Sequence, residues 1–119
     1  LANADRIHAV LLSGGSAFGL GAANGVMQYL EERNIGVQVG NMHVPLVCQA
    51  DIFDLMIGNG MIRPDSTMAY QACLNIGNYQ DGNVGAGCGA SVGKLAGMAR
   101  AMKSGIGSYA IQISNYIFF

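Results

Sequence analysis

A glycine-rich run at residues 82–93 constrains this chain more than any other stretch of its sequence. It reads Gly-Asn-Val-Gly-Ala-Gly-Cys-Gly-Ala-Ser-Val-Gly, with glycines at positions 82, 85, 87, 89 and 93 and one amide side chain, Asn83. Glycine costs backbone entropy on folding, so this density predicts tight turns or a close backbone approach. Such a backbone can direct N–H groups, together with the Asn83 amide, at an oxygen that carries or develops negative charge. The alternative is a flexible loop that joins two elements.

The composition is that of a protein interior rather than of a free-standing surface. Of the 119 residues, 51% are hydrophobic and only 11% are charged. That length suffices for one small domain with a modest core. The sequence starts at Leu1 and ends on an apolar Tyr-Ile-Phe-Phe segment, which would be a liability on the surface of a monomer. We therefore expect residues 1–119 to form a single partial domain, as a fragment or as one chain of a multichain protein.

Charge and cysteine usage argue against several classes of function. The net charge is −1 without a basic patch, so nucleic acid is not expected as a partner. No apolar run reaches membrane-spanning length and no signal peptide is present, so no membrane partner is expected. Cys48, Cys73 and Cys88 are widely spaced and odd in number, which fits a reducing cytoplasm better than a disulfide framework or a zinc site. His8 and His43 have no suggestive neighbours, so we expect no metal and no histidine-based catalytic centre.

The first strand–turn–helix segment contains a second candidate site. Residues 7–12 are nearly all apolar, which predicts a buried strand, and a helix is predicted over residues 17–32 with Ser16 as its cap. Glycines between a strand and a helix N-terminus are the layout of an anion site, so Gly14, Gly15 and Ser16 are candidate binding residues. A tight turn that binds nothing explains the same pattern equally well.

The remaining chain predicts an α/β fold with a mixed sheet and about three helices. Apolar periodicity indicates an extended stretch, two further helices and a strand, at residues 36–55, 66–76, 90–103 and 108–113. Asp65 is placed to cap the helix that follows it. Gly21 and Gly25 lie one turn apart and predict close packing of the first helix. Asp51 and Asp54 have two interpretations, a pair of carboxylates or turn and cap residues.

Neither of two nucleotide-binding motifs fits the glycine run. A Walker phosphate loop requires Gly-Lys-Ser/Thr, whereas residues 93–95 read Gly-Lys-Leu and Cys88 stands where the first glycine belongs. Residues 85–90 nominally meet the dinucleotide fingerprint, but no apolar strand precedes them and no acidic residue follows Asp81 to bind a ribose. We therefore expect no nucleotide cofactor.

Three blocks of sequence, taken in order, carry a resemblance to a known family. The first is Ser-Gly-Gly-Ser-Ala-Phe-Gly-Leu at residues 13–20, followed by Gly-Val-Met-Gln-Tyr-Leu-Glu-Glu at 25–32. The second combines Val-Pro-Leu-Val at 44–47, Ile-Phe-Asp-Leu at 52–55 and Arg-Pro-Asp at 63–65 with Tyr70. The third is Gly-Asn-Val-Gly-Ala-Gly-Cys-Gly-Ala at 82–90, with Gly-Lys at 93–94 and Lys-Ser-Gly-Ile-Gly-Ser at 103–108. Together they resemble the DmpA family of L-aminopeptidases/D-esterases, which includes the β-peptidyl aminopeptidases.

The resemblance implies a self-processing hydrolase of which this chain is most of the first, or α, chain. Members fold as an αββα sandwich similar to N-terminal-nucleophile hydrolases and to ornithine acetyltransferase. The new N-terminal Ser or Thr of a β chain is the nucleophile, and the substrates are short peptides or amides. Asn83 matches the asparagine that stabilises the oxyanion, and the backbone of Gly82, Gly85 and Gly87 would shape the site. The implied assembly is a homo-oligomer of processed heterodimers.

A nucleophile of this kind would also account for the scarcity of histidine. An N-terminal Ser or Thr can use its own α-amino group as the base. No candidate for that nucleophile is present, since Ser104, Ser108 and Ser114 lie inside matched or terminal segments. We therefore expect the chain alone to be inactive.

The chain departs from the family at several positions. Gly21 and Asn24 stand where the family usually has Asp, Cys48 where short members often have Pro, and Cys88 where Thr is usual. Two other functions stay open on the sequence alone. One is a non-catalytic α/β module that binds a small anion or nucleotide at Gly14–Ser16, and the other is an inactive truncated relic.

Overall fold

The computed structural model describes residues 4–118 and has the predicted mixed α/β composition. Two α-helices alternate with short strands. The helices are α1 (Ala23–Glu31) and α2 (Ser66–Leu74). The strands are β1 (Ala9–Ser13), β2 (Val37–Val39), β3 (Met42–Val44), β4 (Val47–Asp51), β5 (Ser91–Val92), β6 (Met102–Lys103), β7 (Ile111–Ile113) and β8 (Tyr116–Phe118). Short 3-10 turns occupy Ser16–Ala22, Gly85–Gly89, Lys94–Ala96 and Met98–Arg100.

The strands pair in separate two-stranded sheets. β1 and β4 are parallel, in a register that aligns Ala9 with Val47 and Ser13 with Asp51. The other three pairs, β2–β3, β5–β6 and β7–β8, are antiparallel. Because β1 and β4 are parallel, their carboxyl ends lie at the same edge, and the segments that follow both strands meet there.

The core lies between the two helices and one face of the β1–β4 pair. Its buried apolar side chains are Ala22, Val26, Leu30 and Ala69. Burial of a Val or Leu side chain contributes about 1.5–3 kcal/mol each. Gly25 lets the helices approach closely, because a Cβ there would lie 2.8 Å from the carbonyl carbon of Ser66 and 2.9 Å from the Tyr70 nitrogen. The predicted role of Gly25 is therefore confirmed. The same role is wrong for Gly21, where a Cβ would have no atom of residues 4–118 within 4 Å other than those of its own chain neighbours.

The predicted third helix over residues 90–103 is wrong. These residues form β5 and β6, joined by two short 3-10 turns. Gly93 (φ 83°) and Gly97 (φ 93°) adopt left-handed backbone angles that no right-handed helix contains. The amide of Ser104 donates to the carbonyl of Ala90 at 2.9 Å, which holds the two ends of the segment together. The abundance of alanine favoured a helix, but the glycines at these two positions decide the local structure.

The first strand–helix segment differs in detail from its prediction. The strand runs from Ala9 to Ser13, and the predicted helix begins as a 3-10 turn at residues 16–22. Ser16 is not the helix cap, because Gly15 occupies the cap position with φ 82° and no side-chain cap bond forms. Val10 and Leu12, at 64% and 53% exposure, leave one face of β1 open within residues 4–118, so the strand is only half buried there.

The second helix confirms its predicted start. The Asp65 carboxylate accepts a hydrogen bond from the Met68 amide at 2.8 Å. The helix ends at Leu74, two residues before the predicted end. The strand predicted over residues 108–113 is confirmed only for Ile111–Ile113. Among the described residues, none of the helices is both long enough and apolar enough to cross a membrane.

Candidate functional site

The turn after β1 is tied to the segment after β4 by backbone hydrogen bonds. The Ile52 amide donates to the Ser13 carbonyl at 3.0 Å, and the Ser16 amide donates to the Ile52 carbonyl at 3.1 Å. Gly14 and Gly15 are buried, and Gly15 turns the chain with its left-handed backbone. Ser16 is a candidate anion-binding residue on the sequence, but its amide already donates to an acceptor in the protein.

The glycine run is a set of tight turns held against Gly105–Ile106. The amide of Gly82 donates to the carbonyl of Ile106 at 2.7 Å, and the amide of Ile106 donates back to Gly82 at 2.8 Å. Gly82 (φ 103°) and Gly85 (φ 50°) adopt left-handed angles. A Cβ on Gly87 would lie 2.5 Å from the nitrogen of Ile106. The glycines at these positions are thus required by backbone angle and by close approach.

Asn83 is exposed on this scaffold, directly after the Gly82–Ile106 pairing. Its backbone carbonyl accepts a weak hydrogen bond from the Cys88 thiol at 3.6 Å. Its exposed side-chain amide has no hydrogen-bond partner within residues 4–118, so its two N–H donors are free on an anchored backbone. Such an amide can donate to a ligand oxygen without first breaking a bond within this part of the protein.

A carboxylate joins the two glycine segments. Asp54 Oδ1 accepts a hydrogen bond from the Gly15 amide at 2.7 Å. A Cβ on Gly14 would lie 3.2 Å from the Asp54 carboxyl carbon, and a Cβ on Gly89 only 2.6 Å from it. Both segments therefore approach Asp54 at positions where a side chain would collide with it. The sequence assigned Asp54 no such role, although its place just after a parallel strand is where binding sites form in α/β folds.

Asp51 and Asp54 have separate partners. Asp51 Oδ1 accepts a hydrogen bond from Gln49 Nε2 at 2.7 Å, whereas Asp54 binds the Gly15 amide. The Asp54 carbonyl also accepts from the Ile57 amide at 2.9 Å, which closes a turn. The turn interpretation of Asp54 is confirmed.

Two lysines bind backbone carbonyls at or near the glycine run. Lys103 Nζ donates to the carbonyl of Gly87 at 3.4 Å and to that of Cys88. Lys94 Nζ donates to the Phe53 carbonyl at 2.7 Å, next to Asp54. Lys103 thus binds carbonyls of the Gly85–Gly89 turn, whereas Lys94 binds the residue that precedes Asp54.

Several cavities adjoin the glycine run, and two of them also contact the segment that follows β4. The larger, 410 Å³, is bounded by Gly14, Asp54, Gly85 and Gly89 on one side and by the apolar side chains of α2 on the other. The smaller, 180 Å³, is bounded by the ends of β1 and β4 and by Gly87. The structure thus brings Gly14 and Gly85 to one cavity. Neither cavity is lined by Asn83, Gly82, Gly15 or Ser16.

The resolved pKa shifts lie outside these cavities or arise from burial. A hydrogen bond from the Tyr70 hydroxyl at 2.7 Å lowers the pKa of Glu32, and the same bond raises the pKa of Tyr70. Burial raises the pKa of the Cys73 thiol. His8 Nδ1 accepts from the Leu46 amide at 3.0 Å, a structural role. In the part of the chain that the structure describes, no three His, Cys, Asp or Glu side chains cluster as metal ligands.

Comparison with known proteins places the chain among peptidases. The sequence profile of peptidase family S58 matches residues 2–115. An uncharacterized aminopeptidase of Mycobacterium tuberculosis is 46% identical over 98 residues, covering 81% of this chain and 28% of the relative. An uncharacterized aminopeptidase of Mycobacterium leprae is 43% identical over 121 residues, covering 96% and 32%. A 6-aminohexanoate-oligomer endohydrolase of an Agromyces species is 35% identical over 94 residues, covering 76% and 26%. The chain thus spans about a third or less of the length of these relatives.

Proposed function

We propose that this chain, which belongs to peptidase family S58, the DmpA family, supplies the oxyanion-binding part of an aminopeptidase or related amide hydrolase. The mycobacterial relatives are named aminopeptidases and the Agromyces relative an oligomer endohydrolase, and both names describe hydrolysis. The activity belongs to the complete protein encoded by the natural gene, since the chain spans only part of each relative. The substrates proposed are short peptides or amides.

One observation carries the proposal, the free side-chain amide of Asn83 on an anchored glycine scaffold. Attack on an amide carbonyl places negative charge on its oxygen, and a donor held in advance stabilises that charge without reorganisation. The paired amides and carbonyls of Gly82 and Ile106 hold the backbone beside Asn83. The left-handed angle at Gly82 sets the direction in which the chain presents the next residue.

The nucleophile in this proposal is an N-terminal Ser or Thr of a β chain produced by self-cleavage. Its α-amino group is the base, so no histidine is needed. This agrees with the structural role of His8. Because the nucleophile and its base belong to one residue, the proposed mechanism uses no metal and no cofactor.

The open face of the β1–β4 pair supports a second layer in the assembled protein. Val10 and Leu12 expose apolar side chains there, and parallel strands in known folds are almost always covered on both faces. A β chain seated on that face would complete an αββα sandwich, with this chain as the α-chain region. We propose a cytoplasmic homo-oligomer of such heterodimers.

The test is Asn83→Ala in the complete protein, assayed with L-amino acid p-nitroanilides and with oligomers of 6-aminohexanoate. Loss of one oxyanion donor typically lowers kcat by about 10²–10³-fold. We expect a fall of that size with little change in KM, because the donor acts mainly in the transition state. Asn41→Ala, at an exposed position in the β2–β3 turn, is the matched control. Normal turnover after Asn83→Ala would contradict the assignment.

The anion-binding alternative at Gly14–Ser16 has less support. The amides of Gly15 and Ser16 already donate to Asp54 and Ile52. The Asp54 carboxylate occupies the place that a bound anion would need, and its negative charge would repel one. Calorimetry with phosphate, nucleotides and carboxylates tests this alternative, and we expect no binding heat from any of them.

A further inference from the structure

The contacts of Asp54 link two parts of the chain that are far apart in sequence. Its carboxylate touches the turn at Gly14–Gly15 through the hydrogen bond from the Gly15 amide at 2.7 Å. On its other side it approaches Gly89, at the end of the 3-10 turn Gly85–Gly89. Three glycines approach the carboxylate, Gly14 and Gly15 from one segment and Gly89 from the other.

The closeness of these approaches leaves no room for side chains. A Cβ on Gly89 would stand 2.5 Å from Asp54 Cβ and 2.6 Å from Asp54 Cγ. Ordinary carbon contacts are about 3.5–4.0 Å. Asp54 Cβ is held by the backbone, so rotation of the side chain cannot relieve that overlap. The backbone of the glycine run is therefore positioned against Asp54 itself.

We infer that Asp54 is a positioning residue that holds the glycine run against the turn at Gly14–Gly15, so that the oxyanion donor Asn83 stays in its working position. This inference rests on the proposed function of Asn83. Asp54 acts through geometry: its hydrogen bond fixes one segment, and its packing against Gly89 fixes the other. Lys94, which directly follows the glycine run, donates to the neighbouring Phe53 carbonyl at 2.7 Å and adds a second link between the run and the segment of Asp54.

Three variants of the complete protein test the inference in kinetic assays with an L-amino acid p-nitroanilide. Misplacement of a catalytic group by about 1 Å can cost about 10²-fold, so Asp54→Ala should lower kcat by about 10- to 100-fold while KM changes by less than about threefold. Asp54→Asn keeps both the volume and the acceptor for the Gly15 amide, and should retain kcat within about threefold. Asp5→Asn, at an exposed position, controls for loss of one negative charge. Equal losses in Asp54→Asn and Asp54→Ala would overturn the geometric role.

The contact with Gly89 is tested by a double-mutant cycle. Gly89→Ala should lower kcat strongly when Asp54 is present, because the new methyl group collides with it. In an Asp54→Gly background the same change should cost several-fold less, since both the carboxyl group and the Cβ of residue 54 are gone. Gly21→Ala, at a position with nothing within 4 Å of the new methyl group, is the control. Identical losses from Gly89→Ala in both backgrounds would refute the contact as the cause.

Amide hydrogen exchange separates this inference from the proposed function. In Asp54→Ala, exchange should rise together in residues 13–16 and 82–90 while α1 stays protected. In Asp54→Asn both segments should keep their protection. If the wild-type protein hydrolyses no peptide or amide, the proposed function fails, and the exchange pattern alone decides whether Asp54 joins the two segments. Unchanged exchange in either segment of Asp54→Ala would overturn the inference. If Asp54→Ala unfolds, Asp54→Asn is the test instead, and loss of protection in that variant would also overturn the inference.

Discussion

Replacement of Gly25 by alanine should destabilise the protein, although alanine is the better helix former. Gly25 lies in α1 where α2 crosses it, and a Cβ there would stand 2.8 Å from the Ser66 carbonyl carbon and 2.9 Å from the Tyr70 nitrogen. Both atoms belong to the backbone of α2, so no rotamer change can make room. The two helices must move apart, and that movement also loosens the packing of Val26, Leu30 and Ala69.

The expected change in the free energy of unfolding is the sum of two opposing contributions. Overpacking of a core typically costs about 1–3 kcal/mol, and more where backbone must move. Replacing Gly by Ala in a helix gains about 1 kcal/mol in intrinsic propensity. Because the collision is with backbone, we place the packing cost at the upper end, about 3 kcal/mol. The net expectation is a loss of about 2 kcal/mol in the free energy of unfolding.

Gly21→Ala is the matched control, four residues earlier in the same segment. Apart from its chain neighbours, no atom of the part of the chain that the structure describes lies within 4 Å of a Cβ at this position, and its φ is not positive. The change should therefore stabilise by about 0.4–1 kcal/mol through the unfolded chain. Denaturant unfolding of the complete protein, with both variants measured beside the wild type, shows whether each change raises or lowers the free energy of unfolding. A stabilising or neutral Gly25→Ala would refute the packing argument, because the helix propensity term would then have prevailed.

Three further predictions address the cap, a surface hydrogen bond and the assembly. Asp65→Ala should lower the free energy of unfolding by about 1 kcal/mol through loss of the bond to the Met68 amide, and Asp65→Asn should restore most of it in the same unfolding assay. Because the folded pKa of Glu32 is lowered, its contribution is complete above the usual glutamate range and is lost as the pH falls through the folded value. Tyr70→Phe should flatten this acid limb of the stability–pH curve, and an unchanged slope would contradict the role of Tyr70. Intact-mass analysis with N-terminal sequencing of the natural protein should find a second chain in equal amount that begins with Ser or Thr, and a single uncleaved chain would remove the proposed nucleophile.

The sequence predicted features that depend on neighbours along the chain. Asp65 caps α2 because a carboxylate before a helix satisfies a nearby amide, a local requirement. The β1 strand follows from a nearly continuous apolar run, whereas β4 was predicted only as part of an extended stretch over residues 36–55. Family membership also came from the order of the motifs, and the family profile over residues 2–115 confirms it. The site residues of the glycine run stay a prediction until the Asn83 variant is measured.

Predictions from local sequence patterns were wrong where glycine backbone angles or contacts between distant segments determine the structure. Residues 90–103 contain enough alanine for a helix, but Gly93 and Gly97 take left-handed angles, and the chain folds back into β5 and β6. The absence of a collision at Gly21 and its presence at Gly25 depend on where α2 lies. The difference between Gly21 and Gly25 is not visible in the sequence, because the two glycines lie one turn apart in the same predicted helix.

The sequence by itself determined the α/β composition, the start of α2, the family and the presence of an unusually glycine-rich segment. Only the tertiary structure decided what that segment touches. Asp54 lies 39 residues from Gly15 and 35 from Gly89 in sequence, yet the parallel pairing of β1 with β4 brings it to Gly15, and the turn at Gly85–Gly89 brings Gly89 to the same carboxylate. The physical reason is that propensity and capping act within a few residues, whereas a contact between distant segments depends on strand pairing and helix packing throughout the fold.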